Sequence, residues 1–432
     1  MHLASRAYLL ALLTAVLAIT AIWSEERAAG LLWRIIAALL LLGLALEGLL
    51  VRRAAVRARI VTAARAYLGQ PQPASFAFEN RAGRPLTLEY APAAPAGFDT
   101  DAQQVRRVTA PAYGTAQDPL TLLPVRLGSQ QWPPLPARML GSFGLAWWNV
   151  AVQPQERLVV APDTLRAQPR PRGMSGGARP RRVAGAGAEL HQLRAYVRGD
   201  PLARIDWKAT ARCGVLVTRE FSEDQHLEII VAIDAGRFSS VHAGALDRFG
   251  LYANLAARFA QIVTQNDDRI GLVVYADRPL ATLAPARGLA AVARLRRTLE
   301  QLSVRQAESD PTAAAVSMRG LLRHRGLIVL LTDLDDASVA DQLARAVRLL
   351  APPHLVVVAG VQGDEVAELA RREARGWQDP WIALAAAEHE ARAAAQRALL
   401  RRLGAPVVAA SAERLEQAVF AQYEALRRSR CV

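Results

Sequence analysis

Cysteine and lysine are almost missing from this chain of 432 residues. The two cysteines, Cys213 and Cys431, cannot build a disulfide framework, and no Cys-x-x-Cys pair offers a zinc or redox site. Each reads as a small apolar filler. Lys208 is the only lysine, so the formal charge of +14 is carried by arginine. Arginine rises together with alanine along the chain, the pattern of coding bias in a GC-rich genome. Cations concentrate only at 52–65 and 166–182. Nucleic-acid binding calls for a clustered basic face, so solvated arginines plus a membrane-facing cluster is the better reading, and no nucleic-acid partner is expected. Catalytic chemistry is missing too: His324 and His354 precede apolar strands, where solvation or capping accounts for them.

What the chain has in quantity is apolar sequence near its start. Residues Ala7 to Trp23 carry no charge and are just long enough to cross a bilayer as a helix. Leu31 to Val51 form a second apolar run, interrupted by Arg34 near its start and Glu47 near its end, where both side chains can snorkel toward headgroups. Trp23 and Trp33 flank the connection SEERAAG as interfacial aromatics do. Arg52, Arg53, Arg57, Arg59 and Arg65 follow the second run, whereas the connection holds Glu25 and Glu26 against Arg27. The positive-inside rule then puts both termini in the cytoplasm and the protein in a bacterial inner membrane with two spans. A cleaved signal peptide is the alternative for the first run, and the second run beside it argues against cleavage.

The length exceeds one ordinary core, so several units are expected. The reading gives a membrane hairpin with a basic flank at 1–66, a small antiparallel β domain at 67–165, a Pro/Gly/Arg-rich linker at 166–184 and an α/β domain at 185–432. Trp147 and Trp148 read as core or membrane-edge residues. From Leu227 onward, apolar runs (LEIIVAID, RIGLVVYA, LIVLLTD, HLVVVAG, PVVAA) alternate with helical stretches at Leu246–Val263, Ala290–Leu302, 339–350, 382–403 and 412–428. Continuous apolar strands separated by amphipathic helices predict a doubly wound parallel sheet covered on both faces. Ligands of such sheets gather at the carboxyl ends of strands, where Asp234 and Asp333 stand.

The densest charge lies just before that sheet, in LRAYVRGDPLARIDWKATAR. Arg194, Tyr196, Gly199, Asp200, Arg204, Asp206, Trp207 and Arg212 in this order, followed by a strand ending in Asp234, resemble the domain of unknown function 58 family, with Thr210 where that family has serine. The turn GSFGL (Gly141 to Leu145) and the paired N-terminal spans extend the likeness over most of the chain. The resemblance implies a von Willebrand factor A-like C-terminal domain and a role as membrane-linked adaptor or chaperone partner of a MoxR-type AAA+ ATPase. It assigns no catalytic residue. The charged block could dock that partner, or could pin neighbouring structure to the sheet edge with Trp207 as anchor.

In that fold, a metal site takes Asp-x-Ser-x-Ser from the first loop, a threonine from the second and an aspartate from the third, since magnesium wants an octahedron of oxygens. Here Gly236 and Phe238 replace both serines and Arg237 adds a cation, while Thr312 and Asp333 are the counterparts of the other two loops. These changes point away from magnesium, so no cofactor is expected. Two other functions remain open: a metal-dependent hydrolase using Asp234, Asp333, Asp335 and Asp336, and an envelope-assembly factor recruited to anionic lipid by the arginine-rich linker.

Overall fold

The computed structural model describes residues 2–24, 27–53, 56–101, 104–164, 183–185, 189–223, 227–335 and 339–428. Glu25, Glu26, Asp336, Cys431 and most of the expected linker lie outside the described residues. The chain divides into two units, residues 1–163 with 299–303, and residues 164–298 with 304–432.

In the first unit, α1 (Ser5–Ser24) and α2 (Arg27–Arg53) pack as a hairpin. Leu9, Leu12, Ile19, Leu39, Leu41 and Leu42 stay exposed, so apolar residues cover the outside of the pair as well as its contact. The stretches Ser5–Trp23 and Leu31–Arg52 are long and apolar enough to cross a membrane.

The β part of this unit starts earlier than its turn residues suggest. His2–Leu3 forms the edge of a five-stranded sheet, followed by Ala146–Val152, Leu135–Leu140, Leu86–Tyr90 and Arg106–Ala110. Val56–Thr62 opens a four-stranded sheet with Gln72–Asn80, Thr115–Pro124 and Phe98–Thr100. The basic flank is therefore partly a strand, with Ala58 and Ile60 inward and Arg57 and Arg59 outward, the period-2 alternation of a half-buried strand. A third sheet joins Arg65–Tyr67, Arg157–Ala161 and Gly128–Gln131, and its first pairing is parallel, a departure from the all-antiparallel expectation. Phe76, Phe78, Tyr90 and Trp132 fill the core with edge-on ring contacts.

Glu47 corrects the snorkelling expectation. Its side chain is fully buried and turns into the protein, accepting hydrogen bonds from the backbone N–H groups of Phe143 (2.6 Å), Leu145 (3.0 Å) and Ala146 (3.1 Å). Phe143 and Leu145 belong to the GSFGL turn, which Gly144 closes at φ 70°, and Ala146 opens the strand that follows. A charge in an apolar helix is tolerated when it finds such partners, and a row of backbone N–H groups is a natural anion cradle. Gly43 and Gly48 of α2 approach the same part of the β sheet: a Cβ on Gly48 would come within 2.8 Å of the Trp148 ring, and one on Gly43 within 3.0 Å of Leu145. Trp148, half-buried, packs against the cluster of Val51, Leu86 and Met139, while Trp147 lies between the guanidinium groups of Arg107 and Arg138.

In the second unit, the strands Glu189–Ala195 and Val217–Glu223 form a hairpin with Val183–Gly185 at its side, and the short α3 (Trp207–Cys213) lies between them in sequence. A six-stranded sheet follows in the order Pro279–Ala286, Arg269–Tyr275, Glu228–Asp234, Leu327–Leu331, Leu355–Val361, Val407–Ala410. Five strands are parallel, as the apolar runs predict, but Pro279–Ala286 runs antiparallel at the edge, making the sheet mixed. Its two prolines lack the ladder N–H and are tolerated only at such an edge, which also blunts it against further pairing. The helices are α4 (Arg248–Gln265), α5 (Gly288–Glu300), α6 (Pro311–Leu321), α7 (Ala340–Leu350), α8 (Asp364–Arg371), α9 (Asp379–Arg402) and α10 (Leu415–Arg428). On one face, Ile230, Ala232, Ile328, Leu330, Val356 and Val358 pack against Met318 of α6, Leu343 and Val347 of α7 and Leu400 of α9. On the other, α4 packs with α10 through Phe259, Phe420 and Tyr423. Burying residues such as Ile230 and Leu330 completely is worth about 1.5–3 kcal/mol each, so this double cover holds the strand ends in place.

Candidate functional site

Two places carry the residues singled out by the sequence. The first is the carboxyl end of the six-stranded sheet. Glu228–Asp234 pairs with Leu327–Leu331 with Ile233 opposite Leu331, which brings Thr332 beside Asp234. Asp234 Oδ1 accepts from the Gly236 N–H (2.8 Å) and the Ser309 hydroxyl (2.5 Å), and Oδ2 accepts from the Thr332 hydroxyl (2.8 Å). The hydroxyls around Asp234 therefore come from Ser309 and Thr332, which the sequence reading missed. Thr312, the expected counterpart, caps differently: its hydroxyl faces the Gln342 carbonyl at 3.5 Å, and its N–H donates to Asp310 (2.9 Å) at the start of α6. Ser239 donates to the Asp234 carbonyl (2.7 Å).

Asp333 joins the same end of the sheet, pairing with the Arg248 guanidinium and accepting from the Asp335 N–H (2.9 Å). Arg237, the cation expected near Asp234, instead lies outside over the Phe238 ring and bonds Glu308 at 3.1 Å. Tyr252 and Tyr275 are wholly buried behind the carboxylates, and burial pushes both phenols up, with the negative charges of Asp333 and Asp234 adding to it. The Tyr252 hydroxyl donates to the Thr332 carbonyl at 3.0 Å. Among the described residues, no three His, Cys, Asp or Glu side chains group to hold a metal ion. Of the proposed hydrolase carboxylates, Asp335 turns toward Arg397 (3.8 Å). His354 sits in the interior, its pKa lowered by burial and by Arg319, with the Gly326 N–H 3.4 Å from Nδ1.

The second place is the signature hairpin. Arg194 grips Asp200 with two parallel bonds of 2.8 Å, and Asp200 also accepts from the Val197 N–H at 3.0 Å. The Arg194 bonds first, then the Val197 N–H, hold the Asp200 carboxyl below its usual range. Gly199, at φ 113°, makes the reversal that brings the carboxylate back to the arginine. Asp206 caps α3 by accepting from Ala209 N–H (2.9 Å) and lies 3.8 Å from Arg219. Thr210, standing for the family's serine, accepts from the Val217 N–H at 3.0 Å, so the substitution keeps an acceptor where the hairpin returns. Ile205 is buried and bridges to Thr218.

Structural roles thus fall to Arg194, Gly199, Asp200, Asp206 and Thr210, whereas Trp207 and Arg212 face outward. Trp207, read as an anchor, is 67% exposed. Arg198, Lys208 and Arg212 are exposed, Tyr196 and Arg204 half-buried, and Val197, Leu202, Val215 and Leu216 add exposed apolar surface at the same end of the hairpin. Cys213, read as a small apolar filler, is free and exposed.

Uncharacterized proteins of Mycobacterium bovis and Mycobacterium tuberculosis are 26% identical over 154 residues, covering 35% of this chain and 48% of theirs. The chain thus spans about half the length of the curated relatives it matches. Similar solved structures include an aerotolerance-related membrane protein from Bacteroides fragilis, at 15% identity over 41% of this chain and 98% of that one with a TM-score of 0.27. Another is the conserved hypothetical protein BatB from Bacteroides thetaiotaomicron, at 15% identity over 46% of this chain and 99% of that one with a TM-score of 0.29. The family model described as "Protein of unknown function DUF58" matches residues 192–380, from the signature hairpin through the sheet to the start of α9. The likeness to the DUF58 family is thus carried by residues 192–380.

Proposed function

We propose that this chain is a membrane-anchored, non-enzymatic interaction protein that engages a MoxR-type AAA+ ATPase through the outward residues of the signature hairpin. In this reading the six-stranded sheet is a von Willebrand factor A-like scaffold, and the two apolar helices hold it at the cytoplasmic face of a bacterial inner membrane. One observation carries the proposal. The segment between the two hairpin strands uses its two carboxylates internally, Asp200 on Arg194 and Asp206 on α3, and leaves Trp207, Arg198, Lys208 and Arg212 exposed. Exposed tryptophan and arginine on a preorganised turn are the composition of binding hot spots, and a rigid turn loses little entropy on association. The buried tyrosines and the fully engaged carboxylates at the strand ends favour a scaffold over hydrolytic chemistry there.

The test is in-cell photocrosslinking of the full-length protein with a photoreactive residue at position 207 or 212. An adduct containing an AAA+ ATPase is expected; with the photoreactive residue moved to position 208, the adduct is lost when Trp207 and Arg212 are both alanine. Capture of lipid alone, or no ATPase from native membranes, would refute the proposal. Cysteine accessibility at Cys213 in intact spheroplasts checks the orientation: labelling by an impermeant reagent would put the hairpin on the outer side.

A further inference from the structure

The family resemblance brings with it a divalent cation at the strand ends, and the side chains there do not fit one. Magnesium takes six oxygens at short distance and relies on carboxylates with lone pairs to spare. Both oxygens of Asp234 already accept hydrogen bonds, from Gly236, Ser309 and Thr332. Both oxygens of Asp333 are engaged as well, by Asp335 and Arg248. The serine missing at position 236 cannot simply be restored. A Cβ on Gly236 would stand 2.1 Å from the Ser309 hydroxyl and 3.0 Å from the Ala307 carbonyl. The Ser309 hydroxyl has entered from the opposite loop and uses the space that such a side chain would need.

Arg248 supplies the positive charge. It is the first residue of α4, fixed there because Asp247 caps the helix by accepting from the Gly250 N–H at 2.7 Å. Its side chain is 14% exposed and that of Asp333 is 9% exposed, so the pair is held inside the site. A guanidinium is charged at every physiological pH and cannot dissociate or be chelated. We propose that Arg248 is the resident cation of the strand-end site, replacing a divalent ion, so that the charge balance of this face is independent of magnesium or calcium. Asp234, Ser309 and Thr332 then form a closed hydroxyl–carboxylate cluster, and Asp333 is neutralised by Arg248. The consequence is a scaffold whose strand-end loops keep one arrangement whether or not divalent ions are present, unlike a site that a metal opens and closes.

The experiment is a manganese titration of the full-length protein in detergent, read by loss of the free aqueous Mn2+ resonance. Wild type and Arg248→Lys, which keeps the charge, are expected to bind no Mn2+ into the millimolar range. Arg248→Ala leaves Asp333 uncompensated beside Asp234 and is expected to take up one Mn2+ at least an order of magnitude more tightly, an uptake abolished by adding Asp333→Asn. If Arg248→Ala does not fold, Arg248→Gln, with a neutral planar head, carries the same expectation. Stoichiometric Mn2+ binding by the wild type overturns the proposal, as does a folded neutral variant that gains no binding.

Discussion

Replacing Glu47 by alanine tests how the membrane hairpin is joined to the β sheets. The carboxylate is fully buried and accepts from three backbone N–H groups, those of Phe143, Leu145 and Ala146. Alanine leaves all three without an acceptor, in a spot that Gly43 and Gly48 hold close to Leu145 and Trp148. One orphaned buried donor costs about 1–3 kcal/mol, and three adjacent ones share relaxation and incoming water, so the sum is below simple addition. The expected loss is about 3–5 kcal/mol, the range for removing one partner of a buried charge-assisted network. Glutamine keeps one acceptor oxygen and sets an amide N–H against a backbone N–H, so it should lose less, about 1–3 kcal/mol.

The assay is chemical unfolding of the full-length protein in detergent, followed by tryptophan fluorescence, with limited proteolysis as the local readout. Trp147 and Trp148 lie directly after the turn and report its loosening. Glu47→Ala should shift the midpoint strongly and expose the 141–146 turn to protease; Glu47→Gln should sit between it and the wild type. An alanine variant with an unchanged midpoint and an uncut turn would refute the reasoning. It would mean that Glu47 reaches lipid headgroups, as its place near the end of an apolar run first suggests.

Three further outcomes are expected. Glu89 is buried between Arg107 and Arg138; burial alone would raise its pKa, but the two guanidinium groups outweigh that and lower it. Its stabilisation is therefore present above the ordinary glutamate range and lost as pH falls through the lowered folded value, so Glu89→Gln should flatten the acid limb of stability against pH and cost about 1–2 kcal/mol at neutrality, a modest figure because both arginines are largely exposed. Gly199→Ala forces a side chain onto a φ of 113° and should destabilise the hairpin by about 1–3 kcal/mol, read as faster amide exchange at Val197 and Asp200; unchanged exchange would refute it. Gly236→Ser restores the motif residue yet drives its Cβ into Ser309, so it should lower the unfolding midpoint by about 1–3 kcal/mol of overpacking rather than raise metal affinity.

The α/β sheet was legible because its strands are continuous apolar runs, buried on both faces, and its helices keep a 3.6-residue period. Glu228–Asp234, Arg269–Tyr275 and Leu355–Val361 all fall where those runs stand. Pro279–Ala286 was not, since prolines at both ends hide a strand that only an edge position permits. The same distinction separates residues that act through their neighbours in sequence from those that act across the fold. Asp206 and Gly199 could be recognised locally, as a helix cap and a reversal. Glu47 could not, because its partners lie nearly a hundred positions away and an acid near a span end usually faces headgroups.

The strand-end site shows the limit most sharply. Counting serines after Asp234 treats the loop as if it met the carboxylate alone. Parallel register puts Leu331 opposite Ile233, so the next residue, Thr332, must arrive beside Asp234 whatever the first loop contains. Likewise, a glycine at 236 is read as a missing hydroxyl when it is also empty volume, and Ser309 fills it. Arg237 is adjacent to the site in sequence and faces Glu308, whereas Arg248, which a helix start delivers, holds Asp333. The hydroxyls lost from one loop are therefore supplied to Asp234 from two others, and the cation at Asp333 comes from a helix start rather than from the first loop.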